Sequence, residues 1–130
     1  MIIPQAVFDE LTATDTPPKV KAWLSKCPAW LDVQQLAGPA DPALSYLGAG
    51  EQESIQMARQ LRADALIIDD KKGRAKAARR NLLVIGTLGV LATAAERNLL
   101  DLSDAIQHLR KTNFHVSPLI LKALLDRFKT

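Results

Sequence analysis

The chain has 130 residues, of which 48% are hydrophobic and 24% are charged, as is usual for a globular domain with one hydrophobic core. The formal net charge of +3 permits binding to nucleic acid but does not indicate it by itself. The single cysteine, Cys27, excludes an intrachain disulfide and a cysteine-based metal site. No apolar segment is long enough to span a membrane, and the N-terminus lacks the charged and apolar regions of a signal peptide. We therefore expect one cytoplasmic domain over residues 1–130, with no membrane partner.

The N-terminal third of the chain predicts two strands and two helices. Met1–Ile3 has the pattern of a short strand, and the following proline suits the first turn of a helix predicted over Pro4–Ala13. A second, short helix is predicted over Lys19–Lys26, with Trp23 facing inward. Trp30–Leu36 alternates apolar and polar side chains, as an edge strand does.

From residue 50 onward, predicted helices and strands alternate. Ala65–Ile68 and Leu82–Ile85 are short apolar runs of the kind that form buried strands, and the first is too apolar to have a solvent-facing side. Three helices around them are predicted over Glu51–Arg62, Gly73–Arg80 and Thr87–Arg97. A fourth helix is predicted from a cap at Asp101 or Ser103 to a stop at Asn113, and a last helix from Ser117 onward. Strands that alternate with helices predict an α/β fold with a parallel sheet between helical layers.

Two neighbouring carboxylates, Asp69 and Asp70, come directly after the strand predicted at Ala65–Ile68. In open α/β sheets, ligands bind beyond the carboxyl ends of the strands, and two adjacent carboxylates there either repel each other or hold a cation. Asp69 is equally well explained as the N-cap of the next helix. Successive residues at a strand end diverge, so Asp70 is the better candidate for a cap or for a supporting role beside a metal.

Two glutamates on predicted helices are further candidates for the same edge. Glu51 lies in the first turn of its helix, on the same face as Ile55. Glu53 lies about 120° or more from that face and is expected to point to solvent. A glutamate in the first turn also complements the helix macrodipole without any further role. Glu10 borders the apolar stripe of the first helix, and its alternative explanation is a solvated helix residue. Acidic side chains at one sheet edge suit Mg²⁺ or Mn²⁺, which prefer oxygen ligands.

Six cations lie within ten residues directly after the paired aspartates. They are Lys71, Lys72, Arg74, Lys76, Arg79 and Arg80. Such a run is usually a solvated helix face, but cations beside a metal-binding edge would attract the phosphates of a nucleic acid. No aromatic residues lie among them, so base stacking is not indicated there.

Four segments together resemble the PIN domain superfamily, most closely its compact prokaryotic branch related to VapC-type toxins. These segments are residues 2–11, 50–58, 64–74 and 86–91. The resemblance implies a three-layer α/β fold and a nuclease in which acidic residues bind Mg²⁺ or Mn²⁺ and activate water to cut RNA. By position, Glu10 matches the family's helix glutamate, Glu51 the acid that opens the next core helix, and Asp69 the acid that closes the following strand. Asp70 is a further metal-ligand candidate.

One part of the PIN pattern is absent. PIN domains begin with a central strand that ends in an aspartate, whereas this chain opens at what resembles the family's second strand. The resemblance therefore implies an N-terminally truncated domain that lacks one metal ligand and exposes two inner strand edges. Exposed inner edges invite pairing with another chain, so we expect a homo-oligomer.

The resemblance implies a metal-dependent endonuclease for single-stranded RNA, impaired as a truncated chain. Lys71, Lys72, Arg74 and Lys76 would hold the RNA phosphate backbone, and an antitoxin-like protein would be a second partner. The alternative is a non-catalytic nucleic-acid- or protein-binding module of the same fold. A receiver-like phosphoacceptor is a third interpretation, but that fold needs acids after its first strand and a lysine after its last, and neither is found.

Overall fold

The computed structural model describes residues 1–127. By their internal contacts they divide into two compact units, Met1–Ile85 and residues 86–127, and each unit is described by itself. The predicted α/β class is confirmed, because short parallel strand pairs occur together with helices. The expectation of one domain over the whole chain stays a prediction.

The first unit contains all the strands of the described chain and its functional candidates. In chain order its elements are β1 (Ile2–Pro4), α1 (Gln5–Leu11), α2 (Pro18–Ser25), β2 (Asp32–Gln34), a 3₁₀ turn (Pro42–Leu44), α3 (Ala49–Gln60), β3 (Leu66–Ile67), α4 (Lys71–Arg79) and β4 (Val84–Ile85). These bounds lie within a few residues of the predicted ones. The prediction that a helix starts at Pro4 was wrong, because Pro4 has extended backbone angles and precedes the helix as its N-cap.

The strands form two separate two-stranded sheets within the described residues. β1 pairs with β2 in parallel, with Ile3 opposite Val33, and β3 pairs with β4 in parallel, with Leu66 opposite Val84. The amides of Leu66 and Ile68 donate to carbonyl oxygens of the neighbouring strand at 2.8 and 2.9 Å. The predicted parallel pairing is therefore present, but in two small sheets. That a central strand is missing from a larger sheet stays a prediction.

The main hydrophobic core of the first unit lies between α3, α4 and β3. Its buried members are Leu44, Leu47, Ile55, Ala58, Leu66, Ile68 and Ala77. Ile67, between two of these residues, is 48% exposed, so the prediction that this strand has no solvent-facing side was wrong. The reason is tertiary: only one face of β3 is covered, and alternate side chains of a strand point to opposite faces.

A groove lies between the open edges of β1 and β3. It encloses about 530 Å³, and Met57 and Ala58 of α3 are among its lining residues. In a parallel pair, alternate residues direct their N–H and C=O groups to opposite edges. Since Leu66 and Ile68 bond to β4, the backbone groups of Ile67 point to the other edge of its sheet. The Asp32 amide donates to the Met1 carbonyl oxygen at 2.8 Å. Ile2 lies opposite Asp32, so the backbone groups of Ile2 likewise point away from β2. Ile2 and Ile67 both line the groove.

Helix α2 confirms the predicted second helix but presents a different face. Leu24 is its buried residue, whereas Trp23 is 49% exposed. The prediction that Trp23 faces inward was wrong. Neighbouring residues on a helix are rotated by about 100°, so a choice between two adjacent apolar side chains decides the buried face. Here the smaller leucine takes the interior.

The second unit is helical over the residues that the structure describes. Its helices are α5 (Thr87–Glu96), α6 (Leu102–Arg110) and α7 (Pro118–Arg127). Leu102, Ile106 and Leu121 form its buried cluster. Asp101, rather than Ser103, caps α6 by accepting a hydrogen bond from the Asp104 amide at 3.0 Å. Within residues 1–127, no helix has the length and apolar character needed to cross a bilayer.

Candidate functional site

Two of the predicted acids meet at the N-terminus of α3. The Gly50 amide donates to Oε1 of Glu10 at 3.0 Å, so a side chain from the end of α1 reaches across to the first turn of α3. A Cβ atom at Gly50 would lie 2.7 and 2.8 Å from the two carboxylate oxygens of Glu10. Glycine at this position therefore permits the close approach.

Glu51 folds back over the same helix end. It lies in the first turn of α3 and is half-buried, and a Cβ atom at Gly48 would lie 2.5 Å from its Oε2. The unpaired amides and the positive end of the macrodipole stabilise negative charge at a helix N-terminus. The positions of Glu10 and Glu51 thus have an electrostatic reason that applies without a metal. Together they place two carboxylates at one end of one helix.

Of the paired aspartates after β3, Asp70 has a capping role. Asp70 is the N-cap of α4, where its Oδ2 accepts a hydrogen bond from the Gly73 amide at 2.8 Å. The predicted capping role of Asp70 is therefore confirmed. Asp69 is exposed and directly follows the buried Ile68. The expected divergence of the two carboxylates stays a prediction.

Glu53 has a role that the helical-wheel argument did not predict. Its Oε1 accepts a hydrogen bond from the Ala6 amide in the first turn of α1 at 3.1 Å. Pro4 makes no side-chain cap for α1, so Glu53 supplies an acceptor from another helix. The expectation that Glu53 points to solvent was wrong, because α1 packs against α3. The absence of a capping side chain before α1 was the only sequence signal for it.

The described acids do not by themselves complete a metal site. Among residues 1–127, no group of three or more His, Cys, Asp or Glu side chains lies close enough together to hold a metal ion. Carboxylates are the correct ligand type for Mg²⁺ or Mn²⁺, but Glu10 and Glu51 are only two of the ligands such an ion needs. The ligand roles predicted for Glu10, Glu51, Asp69 and Asp70 stay predictions.

The basic helix α4 divides into an exposed part and a paired part. Lys71, Lys72 and Arg74 are exposed in its first turn, and no acidic residue lies in that turn. At the other end, Arg80 donates to Oδ2 of Asp41 at 2.7 Å. The Ala43 amide first, and the Arg80 guanidinium second, hold the pKa of the Asp41 carboxyl below its usual value of 3.8.

The pairing of Arg80 has a consequence for the predicted phosphate contacts. Arg80 is engaged within the fold, and the half-buried Lys76 lies near enough to lower the pKa of Asp41 further. The exposed cations of α4 are therefore Lys71, Lys72 and Arg74 in its first turn, together with Arg79 in its last turn. Positive side chains at a helix N-terminus oppose the macrodipole by about 0.3–1 kcal/mol each, and a bound anion would relieve that opposition.

Comparison with protein families shows where the chain belongs. The DUF3368 family, described as a PIN domain, matches residues 1–130. No curated protein and no solved structure matches the chain.

Proposed function

The chain belongs to the DUF3368 family of PIN domains, and from that membership we propose an RNA-binding domain of metal-dependent ribonuclease ancestry. The observation that carries the proposal is the meeting of Glu10 and Glu51 at the N-terminus of α3, in a chain whose whole length matches this family. Asp69, two residues after β3, is the third proposed acid. The proposed chemistry is hydrolysis of the phosphodiester bond in single-stranded RNA.

The proposal assigns the missing ligand to a further strand. With Glu10, Glu51 and Asp69 alone the site is incomplete, so we expect the chain as given to be impaired. A strand in the groove between β1 and β3 would join the two sheets and pair the open backbone groups of Ile2 and Ile67. An acid at its end could then add to the site, where a bound Mg²⁺ or Mn²⁺ would activate water. A second copy of the chain is one source of such a strand, in keeping with the expected homo-oligomer.

RNA binding is proposed to use the exposed end of α4. Lys71, Lys72 and Arg74 present three cations where the helix dipole also favours an anion, and Lys76 lies one turn further along. Contacts of this kind bind the phosphate backbone without reading sequence. The proposed substrate is therefore a class of molecule, single-stranded RNA, rather than one sequence.

A cleavage assay with Mn²⁺ tests the enzymatic part of this proposal. We expect weak cleavage of single-stranded RNA that falls at least about 10-fold in Asp69→Asn, since loss of even a residue that only supports a metal ligand costs about 10- to 100-fold. Asp104→Asn, an exposed acid in the other unit, is the matched control and should retain the activity of the unchanged chain. Equal activity in Asp69→Asn and the unchanged chain would remove the assigned role of Asp69.

Amide hydrogen exchange and sedimentation test the strand in the groove. If a second copy supplies it, the Ile2 and Ile67 amides should become protected as the protein associates. If a segment fused ahead of Met1 supplies it, protection should appear in the monomer. Fast exchange of both amides in every form of the protein would contradict the proposal.

The rival function is a non-catalytic module that binds nucleic acid or protein. It is favoured by one observation, that no three acidic or other ligand residues come together within residues 1–127. Calorimetry with Mg²⁺ and Mn²⁺ distinguishes the two functions: RNA binding without any metal binding would favour the module.

The kinship with VapC-type toxins and an antitoxin-like partner belong to the proposed nuclease function. Growth arrest on expression, abolished by Glu51→Gln, would support them.

A further inference from the structure

Both tryptophans of the chain lie together on the surface of the first unit. Trp23 is 49% exposed and Trp30 is 58% exposed, and their ring centroids are 6.0 Å apart at an interplanar angle of 52°. Burial of a large aromatic side chain contributes strongly to the stability of the fold, and two exposed indoles do not make that contribution in full. Exposed aromatic pairs of this kind are typical of binding surfaces.

The segment that carries the two rings is basic, with Asp15 and Asp32 just outside it. Residues 16–31 contain Lys19, Lys21 and Lys26 and no acidic residue. Lys19 lies one helical turn before Trp23, and Lys26 is three residues after it. Both lysines are exposed, and neither takes part in an ion pair within 4.0 Å among the residues described. The Lys21 ammonium is directed to the Thr14 carbonyl at 3.1 Å.

We infer that Trp23 and Trp30 form a stacking surface for the bases of single-stranded RNA, with Lys19 and Lys26 contacting the adjacent phosphates. The inference rests on the proposed function for the identity of the nucleic acid. Aromatic rings that alternate with cations are the usual means of binding single strands, because every base has a face that can stack. The positive charge of these lysines complements a polyanion. An apolar protein surface would not need lysines beside the two rings.

This stacking surface and the basic end of α4 have different chemistry. α4 carries cations without aromatic residues and can hold only the backbone, whereas the stacking surface can also hold bases. The inference therefore predicts that the chain prefers single-stranded over double-stranded RNA, because the bases of a duplex are not available to the indoles.

Intrinsic fluorescence tests the inference directly, because no tryptophan lies elsewhere in the sequence. Short oligouridylate, added in EDTA so that metal-dependent cleavage cannot occur, should quench the emission. Trp23→Ala and Trp30→Ala should each weaken binding about 5- to 150-fold by anisotropy of labelled oligouridylate. Leu99→Ala, at an apolar residue 73% exposed in the other unit, is the matched control. Circular dichroism checks that each variant is folded, and Trp→Phe variants should retain most of the affinity.

The lysines are tested by the salt dependence of binding. The double variant Lys19→Gln/Lys26→Gln should lower the slope of log affinity against log salt by roughly 0.7 for each lost phosphate contact. Lys122→Gln in the other unit should leave the slope unchanged. Absence of quenching by oligouridylate, or unchanged affinity in both Trp→Ala variants, would overturn the inference.

The outcomes separate this inference from the proposed function. Quenching and loss of affinity in the tryptophan variants, with equal cleavage by Asp69→Asn and the unchanged chain, would leave the stacking surface established and the nuclease assignment rejected. Cleavage that depends on Asp69, without any quenching by oligouridylate, would support the nuclease assignment and reject the stacking surface.

Discussion

The two small sheets of the first unit have the same parallel pairing but different support. Leu66 of β3, and Ile68 directly after this strand, belong to the main hydrophobic cluster, whereas β1 and β2 contribute no member to it. Ile3 is the buried hydrophobic residue of β1, and β2 has none. Parallel pairing alone therefore does not determine how firmly a strand is held. We expect β3 and β4 to be the stable part of this unit, and β1 and β2 to depend on what occupies the groove beside them.

Truncation of buried isoleucines should have the largest effect. Ile55 is fully buried in the cluster beneath β3, so Ile55→Ala should lower the free energy of unfolding by about 2–5 kcal/mol through lost burial and a residual cavity. Ile3→Ala should cost less, about 2 kcal/mol, because Ile3 lies outside that cluster. Urea denaturation measures both. A larger loss for Ile3→Ala would reverse the comparison between the two sheets.

Hydrogen exchange should show the same difference without any substitution. The amides of Leu66 and Ile68 bond to β4, and the Asp32 amide bonds to Met1 at a similar distance of 2.8 Å. We expect the Leu66 and Ile68 amides to exchange at least about tenfold more slowly than that of Asp32, because their opening must disrupt the main cluster. Equal protection would mean that both sheets open as one unit.

Removal of the cap of α4 should have a moderate effect on the β3–β4 side. Asp70→Ala removes the acceptor of the Gly73 amide and should cost about 1 kcal/mol, whereas Asp70→Asn should cost only a few tenths. Asp101→Ala, which removes the equivalent cap of α6 in the other unit, is the matched comparison. Thermal unfolding measures both. A neutral Asp70→Ala would show that α4 is held by packing alone.

Acid should weaken the contact between Asp41 and Arg80, with the smallest effect. Since the pKa of Asp41 is lowered in the folded state, its stabilisation is fully present above its unfolded pKa, near 3.8, and is lost as pH falls through the folded value. Asp41→Asn should therefore lower stability at neutral pH and flatten its decline below about pH 4. Urea titrations across this pH range measure it. An unchanged acid profile would assign the decline to other carboxylates.

Much of the local structure could be predicted from short-range physics. The order of helices and strands follows from hydrophobic periodicity, and the caps at Asp70 and Asp101 follow from the preference of aspartate for the residue before a helix. Glu10 and Glu51 could be selected as candidates because both lie on helices that border apolar stripes. The resemblance to PIN domains was likewise based on the order of segments in the chain, and the family match over residues 1–130 confirms it.

Which of two neighbouring side chains is buried, and which long-range contacts form, depends on the tertiary structure. Leu24 is buried and Trp23 is exposed, Glu53 contacts the start of α1, and Ile67 is exposed beside an open groove. Local pattern determines that a helix or strand forms, because its hydrogen bonds and periodicity lie within a few residues. Which face is covered depends on elements far away in the chain, and so on packing that no local window contains.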